Sequence, residues 1–421
     1  LFYGRFPRQL GMRVYDSVGP GDILFFLTFV GTIIYWAGQK DKPTIRWSVI
    51  LLPMMLFVYT AGYMLIAFFL WKRQDIALSQ AVGWMYFTLV IPAYFGLCTG
   101  RVWKFFVLTL MASLVAGAFL SFLIETGVRN ELISRMGYGG LGARSFGDLT
   151  VRTNQLGMAV AGTLFFTVLA AFAQRPFWKY ASIVAGLSSA AILFFDRGRA
   201  TYGAIAIAML LLILFLPQAP RLRFLIRAST SIIVVVLFIL AIGGETQKKF
   251  ANAFEKSLEA IALTSKQAVD YDPGLVYRMH RLNQAQAIFN ENPIFGGGPG
   301  TQFGTALNWE TMENVPISSI DNSWLFPMSV GGLAGMGLIL GCYVAFIVAC
   351  IGAVIKLRNP LHRCIAFVPL CQMVWLFICS PVNWWMVDRF HIASMSIFVG
   401  MALALVYHER IHGSDVSFID L

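Results

Sequence analysis

Charged residues are scarce in this chain. Only 13% of its 421 residues are Asp, Glu, Lys or Arg, whereas 58% are hydrophobic, and the mean hydropathy is +0.70. A folded domain of this size needs far more polar surface than that to remain in water. The composition therefore excludes a soluble globular protein and predicts one that crosses a membrane many times.

Cysteine is also rare, and none of the six cysteines lies in the long stretch between positions 244 and 321. Since all six lie in or beside apolar runs, the sequence predicts neither a disulfide framework nor a cysteine-ligated metal. Several short catalytic motifs are missing too, among them the Walker loop, HExxH, the dinucleotide fingerprint and a Ser-His-Asp order. These absences argue against the commonest nucleotide-dependent and zinc-dependent enzymes.

Eleven apolar runs are long enough to cross a hydrocarbon layer of roughly 30 Å. Lipid offers the backbone no hydrogen-bond partners, so these runs are expected to be helical. The predicted fold class is an all-α polytopic membrane protein, a bundle of about 11 to 12 transmembrane helices with one large extracytoplasmic loop. The predicted spans are 22–38, 47–70, 80–97, 103–124, 155–173, 178–195, 200–217, 224–243, 325–355, 364–382 and 390–407.

Loop charges predict the orientation of the bundle. Alternate short connections carry clusters of Lys and Arg, and such loops face the cytoplasm. The chain then divides into N-terminal transmembrane helices at 1–243, an extracytoplasmic loop with amphipathic helices at 244–321, and C-terminal transmembrane helices with a cytoplasmic tail at 322–421. This count places Leu1 outside, which fits either a missing upstream helix or a removed signal peptide.

Two helices are predicted within the large outer loop. The stretch 247–266 has apolar residues at helical spacing and charges on its other faces, which is typical of an amphipathic helix on a membrane surface. It could cover a reaction cleft and exclude water. A second helix is predicted to follow Asp272 and to stop at Asn292-Pro293.

Four arginines gather on the predicted outer side: Arg197, Arg199, Arg278 and Arg281. Cations at such a boundary pair with an acid, reach lipid headgroups or bind an anionic ligand. A diphosphate would offset their mutual repulsion, and its oxygens suit the planar, bidentate guanidinium group. We therefore expect a diphosphate-binding site, with pairing to Asp196 and contact with headgroups as the alternative for the first two arginines.

A glycine-rich turn, residues 296–300, follows the helix that carries Arg278 and Arg281. Backbone N–H groups in such a turn can face an anion, so Gly297 and Gly298 join the predicted diphosphate site. The alternative is a tight connection that holds the preceding helix against the bundle.

An acid, Asp321, stands at the start of the ninth span and is followed by Asn322. A carboxylate in reach of an acceptor hydroxyl can take its proton, although a residue here can also be an ordinary helix cap. His280 is the alternative base. The early outer connections have no paired acids to bind a divalent ion, so the predicted chemistry uses no metal.

In this order, these elements resemble the O-antigen ligase and Wzy-type polysaccharide polymerase superfamily of membrane glycosyltransferases. The resemblance covers about 150–340 and rests on four stretches. They are Arg152-Thr153-Asn154, Arg197-Gly198, Arg278 fifteen residues before Pro293, and Asp321-Asn322 with nine residues before Gly332-Leu333-Ala334-Gly335. The family implies a GT-C-like helical fold and a multi-pass protein of the bacterial inner membrane with its active site on the periplasmic face.

The resemblance also implies a reaction. The donor would be a glycan linked to undecaprenyl or another polyprenyl diphosphate, transferred with inversion and without a cofactor, while Arg197 and Arg278 stabilise the leaving diphosphate. Ligases of this superfamily typically have His-Asn where this chain has Asp321-Asn322, whereas many polymerases have Asp-Asn. This favours an O-antigen or exopolysaccharide polymerase, with a ligase that acts on lipid A-core as the alternative.

The expected partners follow from that reaction: the lipid-linked oligosaccharide, a glycan or lipid A-core acceptor, membrane lipids and a chain-length regulator. Nucleic acid is not expected, because the net charge of +11 lies mostly in cytoplasmic anchors. A second alternative is a lipid-linked oligosaccharide transporter, although no internal repeat typical of transporters is found. The candidates for glycan contact are Asn154, Asn322, Trp384 and Trp385.

Overall fold

A computed structural model describes residues 20–38, 47–67, 69, 74–98, 102–125, 141–196, 199–227, 229, 273–308, 313–316, 320, 322–381 and 386–413. Within these ranges the chain is almost wholly helical, which confirms the predicted fold class. Six helical segments of the described chain, among them Gln80–Cys98, are long and apolar enough to cross a membrane, and shorter apolar helices run over Phe25–Gly38, Leu156–Phe172 and Thr201–Phe215.

Each predicted span except 224–243, most of which lies outside the described residues, falls on a helix. The helices are α1 (Pro20–Gly38), α2 (Trp47–Ile66), α3 (Gln74–Met85), α4 (Val90–Cys98), α5 (Val102–Glu125), α6 (Leu141–Phe172), α7 (Pro176–Asp196), α8 (Arg199–Phe215), α9 (Pro273–Glu291), α10 (Leu325–Lys356), α11 (Pro360–Cys379) and α12 (Arg389–His412). Residues 218–227 are also helical. A short antiparallel hairpin joins β1 (Thr305–Asn308) to β2 (Glu313–Pro316).

Three of the predicted spans differ in the structure, one in where it begins and two in being interrupted. Helix α6 begins at Leu141, well before the predicted start of the span 155–173, because hydropathy detects only the apolar part of a helix. The span predicted over 80–97 is two α-helices joined by a 3₁₀ turn at Tyr86–Leu89. Helix α10 is interrupted at Gly332 instead of running unbroken.

The core lies where the C-terminal helices α11 and α12 meet helices from the first half of the chain. Helices α11 and α12 pack against each other, α8 lies on α11, and α4 and α6 lie on α12. In the apolar spans, 78% of the residues are buried in Gln80–Cys98 and 67% in α11 and α12, against 22% in α2. Exposed Leu51, Val58 and Phe105 show that α2 and α5 instead turn large apolar side chains outward, as expected of surfaces that face lipid.

Small residues let the central helices approach closely. A Cβ on Gly400 of α12 would lie 2.6 Å from the Cβ of Ala93 in α4 and 2.8 Å from the carbonyl oxygen of Val90. In α6, a Cβ on Gly157 would lie 2.9 Å from the Cα of His391. Close backbone packing at small residues is the usual means of association between membrane helices.

The bundle has two ends of different character. One end, which we call the Glu409 end, contains the last turns of α8, α10 and α12, and in the described chain Glu409 is its one acid. Arginine side chains there bond to the last carbonyls of helices: Arg221 to Leu214 and Leu216, and Arg227 to Ala170. The cations of the described chain at this end are Lys104, Arg175, Lys179, Arg221, Arg223, Arg227, Lys356, Arg358, Arg363 and Arg410. These are the charges from which the cytoplasmic orientation of the Glu409 end was predicted, and the orientation stays a prediction.

Candidate active site

The opposite end, which we call the Asn322 end, gathers the first turns of α10 and α12, the last turn of α11, and the turn that follows α9. Ser323 donates its N–H to the carbonyl oxygen of Ser380 at 2.9 Å, and its Oγ accepts from the N–H of Met386 at 3.1 Å. Trp324 Nε1 lies 2.6 Å from Ser380 Oγ. These bonds fix the three helix ends to one another.

Helix α9 confirms the second helix predicted in the outer loop, since it runs from Pro273 to Glu291 and ends at Asn292-Pro293. It packs along α10, with Ala285 fully buried and Leu282 and Ile288 partly buried against the core. Arg281 is half-buried on this helix. Arg278 occupies the position one turn before Leu282, so both predicted diphosphate ligands of this segment belong to a helix fixed on the bundle.

Helix α10 is broken where the turn after α9 meets it. Gly332 has φ 61° and ψ −164°, a conformation open only to glycine. The break leaves helical carbonyl and N–H groups without their usual partners inside the helix. Backbone of this kind is tolerated at membrane depth only where protein supplies the missing hydrogen bonds.

The turn after α9 supplies those bonds. Gly297 donates its N–H to the carbonyl oxygen of Ser329 at 2.8 Å, and Gly298 donates to that of Val330 at 2.9 Å. In the other direction, the N–H groups of Leu333 and Ala334 donate to the carbonyl oxygens of Pro293 and Ile294 at 2.9 and 3.0 Å. We call these four hydrogen bonds the α10 junction.

Glycine is required on both sides of the α10 junction. Gly296 has φ 68°, and a Cβ there would lie 2.7 Å from the nitrogen of Gly332 and from the carbonyl oxygen of Val330. A Cβ on Gly332 would overlap the carbonyl group of Ile294. The backbone of the turn and the backbone of α10 are therefore in contact at positions where only glycine fits.

Side chains from α2 and α3 bond to this turn and to α10 beside it. The amide of Gln80 accepts from the N–H of Gly300 at 2.8 Å and donates to the carbonyl oxygen of Thr301 at 2.8 Å. Tyr59 donates its hydroxyl to the carbonyl oxygen of Gly331 at 2.9 Å, and Tyr63 donates to that of Phe295. These three residues were not predicted from the sequence, because no pattern within an apolar run indicates a contact with a distant loop.

These contacts correct the role predicted for the glycine turn. The N–H groups of Gly297 and Gly298, predicted to bind a diphosphate, bond to carbonyl oxygens of α10. Those of Gly296 and Thr301 bond within the loop, and that of Gly300 bonds to Gln80. The turn therefore serves the alternative role, which is to hold α9 against the bundle.

The N-terminus of α10 is capped by Asn322. Its Oδ1 accepts from the N–H groups of Trp324 and Leu325 at 2.9 and 2.8 Å, and its Nδ2 donates to the carbonyl oxygen of Pro381 at 3.2 Å. Asp321 lies outside the described residues. Since Asn322 provides the cap, the helix does not need Asp321 for it.

The other predicted site residues are only partly described. Arg199 is the first residue of α8, and Asn154 lies in α6 three residues before Gly157. Arg197, Trp384 and Trp385 lie outside the described residues. His280 is exposed on α9, and its Nε2 lies 3.1 Å from Nε2 of Gln284. The roles predicted for these residues stay predictions.

A buried acid and histidine lie at the start of α12. Asp388 caps the helix through the N–H groups of Phe390 and His391 at 3.1 and 3.3 Å, and the same carboxylate oxygen lies 2.7 Å from Nδ1 of His391. The imidazole stacks on Trp375. The pair joins α12 to α11 and lies against Gly157 of α6. In the described part of the chain, no group of His, Cys, Asp and Glu side chains could hold a metal ion.

Residues 183–340 match the family model described as O-Antigen ligase. The matched segment contains the Arg197–Arg199 stretch, helix α9, the glycine turn, Asn322 and the broken part of α10. The resemblance seen in the sequence is thereby confirmed over this segment. No curated protein matches the chain significantly.

Proposed function

We propose, from this family match, that the protein is a membrane glycosyltransferase that uses a polyprenyl diphosphate-linked glycan as donor and a sugar hydroxyl as acceptor at the periplasmic face. The single observation that carries the proposal is the content of residues 183–340, which hold every arginine of the predicted diphosphate site and the Asp321-Asn322 pair. The junction between α9 and α10 supports it, because it ties the arginine-bearing helix to the helix that follows Asp321.

In the proposed reaction the acceptor hydroxyl oxygen bonds to the anomeric carbon of the first donor sugar. The bond between that carbon and the diphosphate oxygen breaks on the opposite face, so the centre inverts. The polyprenyl diphosphate leaves with the bonding electrons, and Asp321 takes the acceptor proton. Arg197 and Arg278, with Arg199 and Arg281 beside them, stabilise the charge that develops on the leaving group.

The acceptor divides the two forms of the proposal. Asp321 in place of the histidine typical of ligases favours a polymerase, whose acceptor is another repeat unit of O-antigen or exopolysaccharide. The family description, O-Antigen ligase, favours transfer to lipid A-core as the second form. Both forms need the same donor site and differ only in what reaches Asp321.

Reconstitution of the purified protein with lipid-linked repeat units tests the proposal. With no core acceptor present, a polymerase yields a ladder of products on a gel, whereas a ligase yields one product that depends on lipid A-core. Arg278→Ala should abolish either product, and Arg358→Ala, an exposed arginine at the Glu409 end, is the matched control. Movement of the lipid-linked glycan across the membrane without any covalent product would favour a transporter and overturn the proposal.

A further inference from the structure

The α10 junction joins the two halves of the proposed reaction. On one side it holds α9, which carries Arg278 and Arg281 for the donor diphosphate. On the other side it lies on α10, whose first residue, Leu325, follows Asn322 and the predicted base. From Leu325 to Gly332 the helix rises about 10 Å, so the junction lies close beneath the predicted acceptor side. Nothing else in the described chain bonds the backbone after α9 to α10.

The hydrogen bonds of the α10 junction fix the turn more precisely than apolar packing would. A helix can be held by apolar packing alone, as Ala285 and Ile288 already hold α9. Here α10 instead gives up its own regular hydrogen bonds at Ser329 and Val330 to bond with the turn. Hydrogen bonds have direction, so four of them fix the loop in rotation as well as in distance. Gln80 and Tyr59 add bonds from α2 and α3 around the same point.

We propose that the α10 junction sets the position of the donor diphosphate relative to the acceptor hydroxyl, and that Gly332 and Gln80 are positioning residues for glycosyl transfer. This inference rests on the proposed function. Each half of the site would still bind its own substrate if the junction were disturbed. The distance and angle between the attacking oxygen and the anomeric carbon would change, and transfer is very sensitive to both.

Two variants disturb the junction to different degrees. Gly332→Ala places a methyl group against the carbonyl group of Ile294 and forbids the backbone conformation. Gln80→Leu keeps the approximate size of the side chain and removes two hydrogen bonds to the turn without adding a steric clash, so it is the milder of the two changes. Gly337→Ala, on the same helix, is the matched control. Apart from the local helix backbone, no atom lies within 4 Å of the added methyl group.

The experiment compares glycosyl transfer with donor hydrolysis, in which water takes the place of the acceptor. Both are measured on folded, monodisperse protein, together with KM for the donor. We expect kcat for transfer to fall about tenfold to a hundredfold in Gly332→Ala and less in Gln80→Leu. Donor hydrolysis and donor KM should change less than about threefold, because water needs no alignment with a bound acceptor. Gly337→Ala should match the wild type.

Hydrogen exchange supplies a direct structural readout. The amides of Gly297, Gly298, Leu333 and Ala334 should be protected in the wild type and exchange faster in Gly332→Ala. Wild-type transfer by Gly332→Ala, or loss of hydrolysis and transfer in equal proportion in both variants, would overturn the positioning role. A folded wild-type protein that transfers nothing from lipid-linked donors overturns the proposed function itself, and the positioning role with it.

Discussion

Gly296 and Gly332 lie so close that a Cβ on Gly296 would be 2.7 Å from the backbone nitrogen of Gly332, and both residues have positive φ. Neither position has room for a side chain, and neither backbone suits one. The turn after α9 and the broken part of α10 therefore approach each other at two positions that only glycine can occupy. The first prediction concerns this contact.

Gly296→Ala should destabilise the protein even before activity is considered. Left-handed backbone costs a residue with a Cβ about 1 to 2 kcal/mol, and here the methyl group also meets α10. We expect a clear drop in the thermal unfolding temperature, read from intrinsic fluorescence in detergent. Gly337→Ala, with open space around it, should leave that temperature unchanged or slightly raised. An unchanged temperature in the Gly296 variant would show that the turn does not rest on α10.

The diphosphate assignment predicts the behaviour of two arginines. Arg197→Ala and Arg278→Ala should abolish transfer while expression and thermal stability stay near those of the wild type. Lysine at either position should restore little activity, because an ammonium group cannot grip two phosphate oxygens at once. Product yield from lipid-linked donor is the measurement, and Arg358→Ala is its control. Normal yield from both alanine variants would rule the assignment out.

Asp321 and its neighbour separate catalysis from capping. Asn322 provides the cap of α10, so Asn322→Ala should cost about 1 kcal/mol of stability. Asp321→Asn should leave stability unchanged and lower turnover by about a hundredfold or more, as loss of a general base does. Asp321→His should retain part of the activity, since it recreates the ligase pattern. An Asp321→Asn variant with normal turnover would leave His280 as the base to test next.

Chelation tests the expectation of chemistry without a metal. Activity should persist in excess EDTA, because the arginines are expected to supply the charge that a divalent ion supplies in other diphosphate sites. Initial rates before and after chelation are the measurement. Loss of activity that returns when magnesium or manganese is added would reveal a metal site and contradict this prediction.

The sequence predicted the helices well because a span is a local property. Hydropathy finds an apolar run, and the Asn292-Pro293 stop ends α9 where the structure ends it. The break in α10 was not predicted, because Gly332 lies in an apolar run that reads as continuous. Its partner, Ile294, lies in a separate loop, and Gln80 is 220 residues away from Gly300. Contacts of that kind depend on how the helices assemble, which no local pattern encodes.

The same limit applies within the candidate site. Clustered arginines and an acid before a span suggest a type of chemistry from residue types alone. Whether the glycine turn binds a phosphate or holds α9 against the bundle depends on the direction of its N–H groups. That direction was set by Ser329 and Val330, whose carbonyls are free only because α10 is broken at Gly332.

The burial of α11 and α12 bears on how the protein is made. Helices leave the ribosome in chain order, and α2 and α5, which face lipid over most of their surface, are stable as single inserted helices. The centre that they surround combines the early segment Gln80–Cys98 with α11 and α12, which are synthesised last. The face of α4 that packs on α12 must therefore stay uncovered in the bilayer until α12 inserts beside it, so a ribosome that stalls before α12 leaves α4 without that partner.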